Sequence, residues 1–238
     1  MKTILTTLLL LILHGSTHQL FAQRTIADPN AQLRTTGSFS GIVVGGSFNV
    51  YISQAPTTTV AVSASKPSSV EFITTEVRDG VLYVGFNTKG MEWGGKDLRV
   101  YIALPTLNKI KVSGACDVFI DDQLRADDLF VELSGSSDFR GNLRITNLRL
   151  EAHGSSDFQL RGKATTAKIT LSGSSDVKAF ELETDFCEIN TSGASDVNIT
   201  VQKEMKVKAS GSSDVKYRGA GSLREVSSSG ASTVKKIN

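Results

Sequence analysis

The chain has 238 residues, with 26 Lys plus Arg against 24 Asp plus Glu and a formal net charge of +2. That near-balance points away from a polyanion partner such as nucleic acid. Few aromatics, 4 Pro and 21 Gly favour a β-rich fold with many turns.

The first element serves export. Met1 and Lys2 precede an apolar run from Ile4 to Leu13, broken only by Thr6 and Thr7. Its length suits a signal-peptide core and is short for a bilayer span. Leu20-Phe21-Ala22 offers a cleavage site near Ala22, so residues 1–22 read as a signal peptide and 23–38 as a linker. No cysteine lies near this boundary, which argues against a lipid anchor, and nothing later in the chain reads as a membrane span. The expected location is periplasm, cell surface or extracellular space.

Residues 39–106 read as an irregular β region that caps a C-terminal repeat array. Gly41-Ile42-Val43-Val44-Gly45-Gly46-Ser47-Phe48-Asn49-Val50 is a diverged copy of the motif repeated in that array. Strand-like runs occupy Thr58 to Ser63, Val70 to Val77, Val81 to Phe86 and Leu98 to Leu104. Between the last two lies a glycine-rich stretch, residues 89–96, holding the only tryptophan, Trp93. An exposed aromatic there is a candidate platform for a sugar or a protein partner, and the plainer reading packs it on the first coil.

From residue 107 to 238 the chain repeats. Ser-Gly-Ser-Ser-Asp and its variants place glycines at Gly114, Gly135, Gly154, Gly173, Gly193, Gly211 and Gly230, separated by 21, 19, 19, 20, 18 and 19 residues. Four residues before each stand Ile110, Val131, Leu150, Ile169, Ile189, Val207 and Val226. Four after stand Val118, Phe139, Phe158, Val177, Val197, Val215 and Val234. Apolar residues alternate with polar ones such as Lys109, Lys111, Arg149 and Glu151, which is the period of strands with one buried face. A single repeat is too short to bury that face, and stacked coils solve the problem. A propeller blade needs more residues, and a leucine-rich repeat needs helix periodicity that is absent. The reading is an all-β, right-handed parallel β-helix of ~19-residue coils, with longer irregular coils at its N-terminal end. The glycines are expected on the inward parity at a bend, where any side chain would meet its copies above and below. Cys116 and Cys187 fall in different phases of the repeat and are expected as free buried thiols.

The aspartates of the motif, Asp117, Asp138, Asp157, Asp176, Asp196 and Asp214, take the outward parity. As a stacked column they are candidate binding residues. They are first read as bend-shaping acceptors of backbone N–H bonds; a shared Ca²⁺ is the alternative, although the glycine-rich Ca²⁺-binding repeat is absent. No other metal site, cofactor or catalytic residue is expected. His153 is the only histidine of the mature chain and occupies a serine position of the repeat, so a Ser-His-Asp arrangement has little to build on. Asn190-Thr191-Ser192 and Asn198-Ile199-Thr200 match the glycosylation pattern, here read as accidental.

The GSSD succession, the opening GIVVGGSFNVYI segment and the export signal resemble the "putative auto-transporter adhesin, head GIN domain" family, common in the Bacteroidetes. The resemblance spans roughly Phe39 to the C-terminus. It implies a secreted β-helix shaped like pectin lyases, without conserved catalytic residues, and an adhesive role. The function expected is therefore that of a non-enzymatic envelope or secreted protein binding a glycan or protein. A polysaccharide-active, pectin-lyase-like enzyme and a purely structural protein with Ca²⁺-stabilised repeats are the alternatives.

Overall fold

A computed structural model describes residues 28–87 and 97–237. The expected signal peptide, residues 1–22, the first part of the linker, and Trp93 with its glycine-rich stretch lie outside the described residues.

The chain is a right-handed parallel β-solenoid. Five long strands form its body: β9 (Asp117–Gly135), β10 (Asp138–Gly154), β11 (Asp157–Gly173), β12 (Val177–Thr191) and β13 (Val197–Ala209). Each is one full coil, paired in parallel with the next in register, so that Leu150 lies over Val131 and under Ile169. Slips in that register, as between Arg140 and Asn142, bend each strand around the coil. Three faces result. In β10 they are 138–140, 142–145 and 147–154. Three short strands end the array: β14 (Asp214–Arg218) and β15 (Ser222–Ser228) on β13, and β16 (Thr233–Lys236) on β14.

The interior is built from the columns that the alternation predicts. Ile110, Val131, Leu150, Ile169, Ile189 and Val207 are fully buried, as are Val118, Phe139, Phe158, Val177, Val197 and Val215. Each coil covers the apolar side chains of its neighbour, which a lone repeat could not do. Val226 is the member of its column left exposed, in the final coil.

The glycines are exposed rather than inward. Their necessity comes from the backbone. Gly173 has φ +89°, and a Cβ there would lie 2.4 Å from the carbonyl oxygen of Gly154 in the coil below. That same oxygen accepts the N–H of Ser174 at 2.8 Å. The close approach is thus a repeated inter-coil hydrogen bond that leaves no room for a side chain. The second small residue of the motif does turn inward. Ser137, Ser156, Ser175, Ser195 and Ser213 are fully buried. Their hydroxyls form a ladder in which Ser137 N–H donates to Ser156 Oγ at 3.2 Å and Ser156 N–H to Ser175 Oγ at 3.3 Å. Cys116 stands at the foot of this ladder, where its N–H donates to Ser137 Oγ at 3.3 Å. Both cysteines are free and buried.

At the N-terminal end the order of coils departs from the order of the chain. β2 (Gly41–Gly46) and β3 (Phe48–Gln54) form the coil of the diverged motif. β6 (Val81–Phe86) and β7 (Leu98–Leu104) form another, and β8 (Lys109–Gly114) leads into β9. β2 pairs with β6 on one side and β8 on the other, while β3 lies between β7 and β9. β6 and β7 therefore lie, in parallel, beneath a coil that precedes them in sequence.

Antiparallel strands cover their outer edge. β4 (Thr59–Ala64) pairs with β7 and with β1 (Gln32–Arg34), and β5 (Ile73–Arg78) pairs with β6 through a turn at Asp79 and Gly80. Pairing those edges removes an open template for strand addition. Residues 67–72, in part expected as strand, form a short 3₁₀ turn started by Pro67. Proline has no N–H to give to a ladder, and its fixed φ suits the first helical position.

Candidate binding face

The aspartate column stands half-buried at the start of the first face. Its carboxylates are engaged by the next coil. Asp157 Oδ1 accepts the N–H of Asp176 at 3.1 Å, Asp176 Oδ1 that of Asp196 at 3.3 Å, and Asp196 Oδ1 that of Asp214 at 3.2 Å. Arg140 and Lys178 between them reach four of the six carboxylates. Arg140 bridges Asp117 at 3.1 Å and Asp138 at 2.7 Å, and Lys178 lies 2.9 Å from Asp157 and 3.7 Å from Asp176. The hydrogen bond to Asp157 raises the pKa of Lys178. Among the described residues, no group of three or more His, Cys, Asp or Glu is arranged to hold a metal ion.

Below Arg140 the same outward column turns aromatic. Tyr101, Tyr51 and Phe119 stack with centroids 5.2 and 5.3 Å apart, and Arg140 lies 5.4 Å from the Phe119 ring. Tyr101 donates its hydroxyl to Asp28 at 2.8 Å, and Arg99 reaches the same carboxylate at 3.2 Å. This ladder fastens the N-terminal segment to the solenoid.

The third face carries the groove. An open depression of about 530 Å³ runs along the axis over five coils. One wall is the row Asp128, Asn147, Thr166, Phe186 and Glu204. The other is Phe130, Arg149, Lys168, Glu188 and Lys206. Between them lie Leu129, Leu148, Ala167 and Cys187, all inward and buried. The alternation of the strand makes this shape, because residues two apart point to the same side.

The walls are polar but locally tied. Asn147 donates to Asp128 at 2.9 Å, and Thr166 to Asn147 at 2.9 Å. Lys168 and Glu188 pair at 2.9 Å, and the hydrogen bonds from Lys168 and Asn190 hold the Glu188 carboxyl below its usual range. A carboxylate so stabilised is a weak base at neutral pH. Phe130 is held between Lys111 and Arg149, 5.5 and 5.2 Å from its centroid. Phe186 is 42% exposed, with Lys203 5.3 Å from its ring.

His153 lies further along this face. Its Nδ1 is 2.8 Å from Ser172 Oγ in the next coil, and both are at the surface. Among the described residues no carboxylate orients the ring, so a catalytic triad is not assembled. The arrangement on this face suits holding an elongated ligand by aromatic contact and hydrogen bonds.

Sequence alone places the aspartates outward, where they are found. It also makes the outward columns of the third face look uniformly polar, which hides Phe130 and Phe186. A signal is nonetheless there: in the row of Asp128, Asn147, Thr166 and Glu204, Phe186 is the member that departs in kind.

The profile of the "putative auto-transporter adhesin, head GIN domain" family matches residues 38–221. The chain belongs to that family. Solved structures share its fold. A putative adhesin from Bacteroides fragilis superposes with a TM-score of 0.78 at 24% identity, covering 87% of this chain and 96% of that one. A putative lipid binding protein from Parabacteroides distasonis gives 0.69 at 15% identity, covering 87% and 96%. A putative adhesin from Parabacteroides merdae gives 0.64 at 17% identity, covering 87% and 95%. At these identities the likeness is one of fold. No curated protein is similar enough in sequence to match the chain.

Proposed function

We propose that this protein is a non-enzymatic binding scaffold of adhesin type, exported to the envelope or beyond, whose third-face groove takes an extended glycan or peptide. The observation that carries the reading is Phe186, a large apolar side chain exposed on the wall of a largely polar groove. Isolated exposed apolar residues are common on surfaces. This one breaks the repeat within the depression, between Thr166 and Glu204 of its row. An aromatic face ringed by a few polar groups is how concave sites hold sugars and peptides. Family membership and the apolar segment at the N-terminus support export.

The ligand contact is assigned to this face rather than to the aspartate column, whose carboxylates already accept bonds from the neighbouring coil. Trp93 is a candidate second contact, tested by its own substitution. A panel of immobilised glycans and matrix proteins tests the reading. Binding is expected to fall at least tenfold in Phe186→Ser with an unchanged melting curve, and no unsaturated product should appear by ultraviolet absorbance. Equal binding by Phe186→Ser, or product formation from any polysaccharide, would overturn it.

A further inference from the structure

The charge balance of the whole chain hides an asymmetry on the second face. Its strand segments are 123–126, 142–145, 161–164 and 181–184. The register stacks Arg144 directly between Arg125 below and Lys163 above. Arg161 stands in the adjacent outward column, over Asn142 and Gln123. All four cations are exposed. With strands ~4.8 Å apart, three like charges rise one above another along the solenoid axis.

Like charges directly opposite one another destabilise a sheet. Elsewhere the chain avoids this by interleaving opposite signs, as with Arg140 between Asp117 and Asp138, Lys111 beside Glu132, and Lys168 beside Glu188. Among the described residues, none of the four cations on the second face makes an ion pair. Asp127 lies two residues beyond Arg125, and Glu181 and Glu183 lie one coil above Arg161 and Lys163. These carboxylates bound the patch without closing on it. Asp185, whose carboxyl pKa is lowered by Lys203 and also by Lys163, touches only the upper end of the ladder. The mutual repulsion of Arg125, Arg144 and Lys163 is an electrostatic cost that an anionic ligand would relieve.

We infer that Arg125, Arg144 and Lys163, with Arg161, bind an acidic polysaccharide laid along the solenoid axis. The cations form a line with one charge per coil, which suits a chain carrying regularly spaced anions. Guanidinium groups match the planar oxygens of carboxylate and sulfate with paired N–H donors. Gln123 and Asn142, joined at 3.4 Å, place amides beside the ladder where sugar hydroxyls would lie. A bilayer fits less well, because among the described residues the exposed large apolar side chains, Leu33, Tyr83, Phe186, Leu223 and Val226, all lie elsewhere. Single-stranded nucleic acid fits less well for want of an aromatic platform on this face.

The test compares dextran sulfate, polygalacturonate and neutral dextran with phosphatidylglycerol vesicles and a DNA oligonucleotide, all at one ionic strength. The two acidic polysaccharides are expected to bind, neutral dextran is not, and added salt should weaken binding. The triple variant Arg125→Gln, Arg144→Gln, Lys163→Gln should lose roughly tenfold or more in affinity while keeping the wild-type melt. Lys66→Gln, Lys235→Gln, exposed at the two ends of the solenoid, should retain full binding, which separates a local site from general charge attraction. Unchanged affinity in the triple variant would overturn the inference. So would equal loss in the Lys66→Gln, Lys235→Gln variant, or tighter binding to vesicles or DNA than to either polysaccharide.

Discussion

Asp157 Oδ1 accepts the backbone N–H of Asp176 at 3.1 Å, across the gap between two successive coils. The side chain that seems most available for chemistry is thereby part of the ladder that joins the repeats. Its other oxygen receives Lys178 at 2.9 Å. Asp157→Ala removes both bonds from a partly exposed site and is expected to lower stability by about 1 kcal/mol in urea denaturation. Asp157→Asn keeps an oxygen acceptor and should lose less.

Because these carboxylates are already engaged, millimolar Ca²⁺ or a chelator should leave the Tm unchanged. A rise of several degrees with Ca²⁺ would mean that the column recruits a cation after all.

The motif glycines give a graded test of the backbone argument. Gly173→Ala meets both a left-handed φ and a carbonyl 2.4 Å from the new Cβ. It is expected to cost about 3 kcal/mol or more. Gly80→Ala, at φ +71° with open space around it, should cost only about 1 kcal/mol. Equal losses in urea denaturation would show that close approach between coils is not the reason for glycine.

The buried thiols set an alkaline limit. Burial pushes Cys187 up to about 12 from 9.0. The folded chain therefore holds this proton more tightly than the unfolded chain does. Its contribution is fully present below pH 9 and is lost as pH rises between 9 and 12, by about 1.4 kcal/mol per unit. Tyr101, raised by burial and by its bond to Asp28 to about 12, has the same sign from 10 upward. Cys187→Ala should flatten the slope above pH 9 in denaturation curves recorded across that range. In the native protein a thiol reagent should label neither cysteine until denaturant is added.

Much of the body is legible in sequence because a solenoid writes its geometry as columns. The apolar residues four before and four after each glycine are the interior, and the small residue two after it is the buried hydroxyl ladder. The order of the first coils is not legible. Val81–Phe86 and Leu98–Leu104 carry no Gly-Ser-Ser-Asp corner to mark them as a coil, and their place beneath β2 and β3 is a long-range pairing. The glycine's direction is misjudged because parity counting assumes an unbroken strand. At each corner the chain instead takes a positive φ, and the glycine alone faces out between inward positions of the same parity. The groove escapes notice for a related reason: its walls are outward residues, where the repeat tolerates change, and only alignment in register shows Phe186 standing beside Thr166.

Hydroxyl-radical footprinting in the presence of a ligand selected from the glycan and matrix panel would test the central claim most directly. Phe186 and Phe130 line the groove, whereas Tyr83 is 38% exposed at the N-terminal end and serves as an internal control. Bound ligand should suppress oxidation at Phe186 and Phe130 and leave Tyr83 unchanged. Protection at Tyr83, or none at Phe186 under saturating ligand, would contradict the assignment of the groove as the binding surface.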